Sequence, residues 1–312
     1  MVYRAKQATE RRDMPHGKVG TMKLSLVRHL WGVDLSRGYT PHLAHWRAVG
    51  YNTLESSPRL VPDAAELRRV LSGEGFAWIP QVFSNMFLGS ASTTVHLSSL
   101  REQIEECLDP VPLFINAHSG SDSWTLDQAE EFYHGVAELE AEFGCQVAHE
   151  THRSRFFGNP WQTGRLLQRI PTVKLTCDFS HWVCVAERLL ADAEELIEQA
   201  AGHALHLHCR VGYEQGPQVS DPRAPEWSKH LAVHERWWRA VWRSQWKRQF
   251  SAVTLTPEFG PAPYLPLLPY SQQPVADLED ICDWMAERQR VEFGAWSEAE
   301  ETVAYPRMAG AR

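Results

Sequence analysis

No uninterrupted apolar run in these 312 residues approaches the ~18 that a membrane-spanning helix needs, so nothing in the chain reads as a span. Residues 1–21 lack the apolar core of a signal peptide. They carry Arg4, Lys6, Arg11, Arg12 and Lys18 and read as a flexible N-terminal tail. No CxxC pair occurs among the six cysteines (Cys107, Cys145, Cys177, Cys184, Cys209 and Cys282), which sit in apolar segments and read as buried free thiols of a cytoplasmic protein. Excess positive charge is also missing. A net charge of −8 argues against a general nucleic-acid binder, because phosphate neutralisation needs a basic surface. There is no internal repeat, no low-complexity run and no linker that would split the chain.

What is present is a regular alternation. Strand patterns occur at Lys23–Trp31, Tyr51–Glu55, Phe76–Phe83, Pro112–His118, Cys145–Glu150, Val173–Asp178, Ala204–Arg210 and Ala252–Glu258. Helical patterns follow them at Pro41–Val49, Asp63–Ser72, Leu97–Leu108, Leu126–Phe143, Trp161–Ile170, Val185–Ala201, Pro225–Phe250 and Asp277–Phe293. Thr125 caps the fourth helix and Gly144 closes it, while Gly50 and Gly75 end the first two. Eight strand–helix units in this length predict parallel strands joined by right-handed crossovers, closed as a single-domain (β/α)8 TIM barrel over residues 22–296 with a C-terminal tail at 297–312. An open doubly wound sheet is the alternative, and the lack of a GxGxxG loop after the first strand counts against it.

Four consecutive strands end in chemistry. Side chains two apart share a face of a strand, which groups Ala148, Glu150 and His152, then Thr176 and Asp178, then His206, His208 and Arg210, then Thr256 and Glu258. Val147, Leu175, Leu205, Leu207 and Leu255 fall on the opposite, helix-facing side. Three carboxylates at one rim repel one another unless a cation holds them. The set Glu150, Asp178, His208 and Glu258 is oxygen-rich with one imidazole and suits a single divalent ion, Mn2+ or Mg2+ first, with Co2+ and Zn2+ as other candidates. His206 lies deeper in the strand and reads as a core residue.

These stretches (HETHR at 149–153, DFSHW at 178–182, HLHCRVG at 206–212 and PEFG at 257–260) resemble the xylose isomerase-like TIM-barrel superfamily, in its sugar phosphate isomerase/epimerase branch. The resemblance runs from Lys23 to Phe293. It implies that Glu150, Asp178, His208 and Glu258 hold the metal and that Glu150 and Glu258 are the catalytic acid/base pair. It also implies that His181 and Arg210 contact substrate. The implied activity is metal-dependent isomerisation or epimerisation of a small sugar, sugar phosphate or hydroxy-ketone, by proton transfer through an enediolate that the metal stabilises. A lyase or dehydratase on a related polyol or glycoside would use the same site. An AP-endonuclease-like phosphodiesterase would need more histidine ligands and a basic face, and a barrel that only binds ligand is the non-enzymatic alternative. The chain departs from many relatives at His152, where Asn is usual.

Further pocket candidates come from the residues themselves. His118 opens the polar loop NAHSGSDSW, His152 shares a face with Glu150, and Trp31 is suited to an apolar wall. Glu55 and Gln81 end earlier strands and could line the pocket. The long loop 212–226 offers Tyr213, Gln215 and Gln218 to substrate or to a second subunit of a homo-oligomer. In Pro225–Phe250 the aromatics Trp238, Trp242, Trp246 and Phe250 recur every four residues, a packing stripe rather than a nucleic-acid grip.

Overall fold

The strands are β1 (Lys23–His29), β2 (Tyr51–Ser56), β3 (Ala77–Phe83), β4 (Ile115–His118), β5 (Val147–Glu150), β6 (Lys174–Cys177), β7 (Ala204–His208) and β8 (Ala252–Thr256). In the computed structural model, which describes residues 22–84 and 92–304, each pairs in parallel with the next and β1 pairs with β8, from Lys23↔Ala252 to Leu26↔Leu255. The sheet is a closed eight-stranded barrel. Every strand therefore ends on the same rim, which is where the chemistry of the sequence was expected.

The helices outside are α1 (Thr40–Val49), α2 (Ala64–Glu74), α3 (Thr93–Glu106), α4 (Leu126–Phe143), α5 (Pro160–Arg169), α6 (Phe179–Ala186), α7 (Glu194–His203), α8 (Ser228–Lys247) and α9 (Leu278–Ala304). The expected boundary signals operate. Thr125 and Gln128 form a reciprocal capping box on α4, and Gly50, Gly75 and Gly144 end α1, α2 and α4 with left-handed backbone.

Three expectations need correction. The segment read as one helix, Val185–Ala201, is two: α6 begins at Phe179 because Asp178 caps it, and Glu187 ends it in the left-handed region. A C-terminal tail from residue 297 is replaced, as far as Ala304, by the end of α9. Leu205 does not face the helices. Between β6 and β7 the register slips, Leu175 opposing Ala204 but Thr176 opposing His206, so Leu205 is an extra residue on β7. It packs instead with Val27, Ile79, Phe114 and Ala148 in a small apolar plug. The N-terminal tail lies outside the described residues.

Val147, Leu175, Leu207 and Leu255 do join the large core between barrel and helices. On α8, Trp237, Trp238 and Trp242 are buried in that core, and Arg236, Arg239 and Arg243 pair with Glu194, Glu292 and Glu300 of neighbouring helices. The aromatic stripe is packing. Of the six cysteines, Cys107, Cys177, Cys209 and Cys282 are buried, Cys145 and Cys184 are half-buried, and all are free. No helix among the described residues is long and apolar enough to cross a membrane.

Candidate metal centre

Strand alternation lifts polar side chains in two steps above the apolar plug. The lower step consists of Glu55, Asn116, His206 and Thr256, all buried. Thr256 Oγ1 donates to Glu55 Oε2 over 2.6 Å and Asn116 Nδ2 donates to Glu55 Oε1 over 2.8 Å. His206 is held from both sides, its Nδ1 2.8 Å from Thr254 Oγ1 and its Nε2 2.9 Å from Thr256 Oγ1. It is a satisfied core histidine, as its depth in the strand implied.

The upper step holds the four expected ligands. One donor atom from each of Glu150, Asp178, His208 and Glu258 lies within 4.8 Å of the others, and all four residues are buried. His208 Nδ1 faces Glu258 Oε2 at 2.9 Å and Glu150 Oε2 at 3.7 Å. Its Nε2 lies 3.1 Å from Glu55 Oε1. An imidazole pinned by a carboxylate on one nitrogen presents the other in a fixed direction, the usual support of a ligating histidine. Asp178 has two tasks. Oδ1 accepts the Ser180 N–H over 3.0 Å and so caps α6, while Oδ2 faces the cluster. Thr151 Oγ1 ties β5 to the same point, accepting the Asp178 N–H over 2.7 Å and donating to its carbonyl over 2.8 Å.

The donor set fits a divalent ion. Glu150 Oε1 is buried with no hydrogen-bond partner, and Glu258 Oε2 and His208 Nδ1 meet each other at 2.9 Å without the alignment of a full hydrogen bond, so donors converge here beyond what the protein's own groups need. Three carboxylates and one imidazole are the ligand chemistry of Mn2+ or Mg2+. Arg210 supplies positive charge at the same place. Its Nη2 contacts Asp178 Oδ2 and lies 3.2 Å from Glu258 Oε2, and its Nε donates to Ser180 Oγ over 3.2 Å.

These neighbours set the protonation states. Burial pushes the Glu258 carboxyl up, but Arg210 and His208 overrule it and bring it to about 2. Glu150 and Glu55 are likewise held well below the ordinary range, against burial, by His118 and His208 in the first case and by His208 and His206 in the second. For Asp178 burial wins over Arg210 and lifts the carboxyl to about 6.

A cavity of about 470 Å3 opens above this cluster. Arg210 and Glu258 reach it, with His118, His152 and Arg155 on one side and Trp31, Leu60, Val61 and Phe83 on the other. Glu150, Asp178 and His208 lie beneath it. His181, which the resemblance directed at substrate, sits one layer back. Its Nε2 is 2.7 Å from Arg210 Nη2 and its ring packs 3.8 Å from that of His152. Trp31 is the apolar wall expected, and Gly260 makes room for it. A Cβ there would stand 2.1 Å from Trp31 Cη2. Tyr264 meets the indole edge-on at 4.9 Å. Gln218 of the long loop is buried and bonds both the N–H and the carbonyl of Gly260, so it braces this wall.

Two residues that the sequence did not single out as site groups complete the centre. Glu55, read only as a pocket-lining candidate, is the carboxylate under His208. His29 accepts the Trp31 N–H at Nδ1 over 2.9 Å, which leaves the proton on Nε2, 3.7 Å from Glu258 Oε1. The available signal was the same one that found the others, a polar residue at a strand's C-terminal end.

No family model and no curated protein matches the chain. Solved structures do match in fold. An AP endonuclease of family 2 from Brucella melitensis gives a TM-score of 0.54 at 15% identity, covering 85% of this chain and 98% of the other. A sugar phosphate isomerase/epimerase from Parabacteroides distasonis gives 0.51 at 11%, covering 90% and 99%. A xylose isomerase-like TIM barrel protein from Mycobacterium smegmatis in complex with magnesium gives 0.50 at 12%, covering 79% and 93%. With its closed parallel eight-stranded barrel, the chain has the fold of the xylose isomerase-like TIM barrels.

Proposed function

We propose that this protein is a divalent-metal-dependent isomerase or epimerase of a small sugar or hydroxy-ketone. The observation that carries the reading is the convergence of Glu150, Asp178, His208 and Glu258 within 4.8 Å, directly under a cavity whose floor is Glu258 and Arg210. Two of the neighbouring folds bear on it, one named for sugar phosphate isomerisation and one seen with magnesium.

When bound by these four residues, Mn2+ or Mg2+ supplies Lewis-acid polarisation of a carbonyl and its adjacent hydroxyl. The chain's own groups do the rest. Glu258 is ionised at neutral pH and borders the cavity, so it is the base that removes the proton beside the carbonyl. In an isomerisation Glu258 returns the proton it has taken to the neighbouring carbon. In an epimerisation Glu150, on the far side of His208 Nδ1, enters the step protonated and delivers its own proton to the opposite face, and solvent then resets the two carboxyls. Arg210 places a guanidinium at the cavity floor, where negative charge develops on the substrate oxygen. His29 Nε2–H faces the Glu258 carboxylate from 3.7 Å, beyond hydrogen-bond reach. Trp31 and Tyr264 wall the cavity.

The test is a screen of the Mn2+- and Mg2+-loaded protein against ketoses, inososes and keto-glycosides in heavy water. Deuterium entering a carbon position next to the carbonyl is the expected result. A metal-loaded protein that exchanges no carbon-bound proton in any of these classes sinks the proposal.

A further inference from the structure

Most arginines of the described residues meet a carboxylate, as Arg59 meets Glu106 at 2.6 Å and Arg288 meets Glu235 at 2.5 Å. Arg155 lines the cavity beside His118 and His152, and no carboxylate of the described residues pairs with it. Its Nε is buried with no hydrogen-bond partner, and Nη1 reaches only the Ser154 carbonyl, over 3.4 Å. Burial weighs against the charge and lowers the pKa of the guanidinium, an effect that Glu150 and Tyr264 offset only in part. A guanidinium nonetheless keeps its proton, so the half-buried cation is short of a counter-charge.

The chain holds this side chain at the cavity. Arg155 N–H donates to the His152 carbonyl over 3.1 Å, closing a turn in which Ser154 takes left-handed backbone at φ 59°. Gly158 N–H donates to the Arg155 carbonyl over 3.0 Å, and Trp182 Nε1 donates to the Phe157 carbonyl over 2.8 Å. Phe156 and Phe157, which follow, are buried. Arg155 therefore stands on a backbone clamped from both sides.

The other walls leave this charge unanswered. Arg210, at the floor, is already paired with Asp178 and Glu258. Arg153 lies over the Tyr264 ring at 5.1 Å and adds positive charge at the cavity wall. Trp31, Leu60, Val61 and Phe83, on the other side, offer apolar contact and no charge. A guanidinium edge presents two parallel N–H groups, which match the two oxygens of a carboxylate. A phosphate dianion presents three oxygens and takes more donors than one such edge supplies.

We infer that Arg155 is a specificity-determining residue that binds a carboxylate on the substrate, at the end away from the reacting carbonyl, so that the substrate class is a keto-sugar acid. This assignment rests on the reaction proposed above for the use of the cavity as a substrate site.

Calorimetric titration of the full-length protein in excess Mn2+ tests it, with D-fructose against D-fructuronate, D-tagatose against D-tagaturonate, and D-fructose 6-phosphate as the third kind of probe. Within each pair the sugars differ only in whether C6 is an alcohol or a carboxylate. The wild type is expected to bind the ketouronate of at least one pair about tenfold or more tighter than its ketose. In Arg155→Met that ratio falls to near one. Arg155→Lys, which keeps the charge without the fork, restores part of it, and circular dichroism confirms that each variant is folded. Arg155→Gln takes the place of Arg155→Met should the latter not fold. Equal affinities within both pairs overturn the inference, as does a preference for the ketouronate that survives in the folded variant. D-fructose 6-phosphate bound more tightly than D-fructuronate, with the gain lost in Arg155→Met, assigns the residue to phosphate and overturns the carboxylate. The function proposed above fails separately. A protein that binds ketouronates through Arg155 but exchanges no carbon-bound proton keeps this subsite and loses that reaction, and one that exchanges protons in neutral ketoses without preferring the acids does the reverse.

Discussion

Glu55 Oε1 lies 3.1 Å from His208 Nε2, joining residues 153 apart in the chain across the inside of the barrel. Glu55 is buried, and its two oxygens also receive Thr256 Oγ1–H, Asn116 Nδ2–H and His206 Nε2. A carboxylate so placed raises the basicity of the imidazole proposed as a metal ligand and fixes its direction. Glu55→Gln keeps the shape but turns one acceptor into a donor aimed at other donors. Metal affinity measured by calorimetry is expected to fall by about 10–100-fold, while circular dichroism still shows a folded barrel. Unchanged affinity would remove Glu55 from the support of His208.

Glu258 sits where the cavity meets the ligand cluster. Glu258→Gln removes the proposed base and is expected to lower turnover by about 100–10,000-fold, with loss of solvent deuterium incorporation. Near-wild-type turnover in this variant would exclude Glu258 from proton transfer.

Arg210 pairs with Asp178 and Glu258, the carboxylates on which the proposed metal site also draws. Arg210→Met removes a buried positive charge from the site. Divalent-metal affinity is expected to rise by about tenfold, roughly 1.4 kcal/mol, as turnover falls for want of the guanidinium. Weaker metal binding in Arg210→Met would show that the guanidinium organises the ligands rather than competing for them.

Trp31 rests against Gly260, so steric exclusion and not backbone conformation fixes the glycine. Gly260→Ala drives a methyl group into the indole at 2.1 Å. Overpacking of this kind costs about 1–3 kcal/mol, read as a lower urea midpoint, and displaces the cavity wall. A midpoint equal to that of the wild type would mean that Trp31 is free to move.

His234, on α8 and away from the metal ligands, sets an acid limit. Its Nδ1 donates to the His230 carbonyl over 2.8 Å and its Nε2 accepts the Gly212 N–H over 3.2 Å, so both nitrogens are used by the neutral ring. Burial lowers its pKa to about 4, below the 6.5 of the unfolded chain. The neutral form is favoured by folding, so the stability it confers is complete above pH 6.5 and is lost as pH falls from 6.5 toward 4. The loss amounts to about 3 kcal/mol. Urea unfolding between these pH values should be less steeply pH-dependent in His234→Gln than in the wild type. Equal slopes would remove His234 from the acid response.

The convergence of the proposed ligand set was readable because it depends only on a period of two and on the end of a strand. Glu150, Asp178, His208 and Glu258 each fall where a short apolar run stops, on four strands in succession. The division at Asp178 was not readable as such. A carboxylate that ends a strand can also begin a helix, and DFSHW carries no proline or glycine to mark the change. Leu205 was misplaced for a related reason. Alternation predicts facing only while the register holds, and the slip between Leu175 and Thr176 is a property of the strand pair rather than of either strand.

The sequence alone determined the eight strand–helix units, the parallel sense of the strands and the end of the barrel at which chemistry collects, since all three follow from hydrophobic periodicity and chain connectivity. Only the closed structure decided which residues meet across it. Once β1 pairs with β8, Glu55 reaches under His208, His29 faces Glu258, and Trp31 lies on Gly260. Those contacts join stretches 150 to more than 200 residues apart, and no local pattern encodes a distance that only ring closure creates.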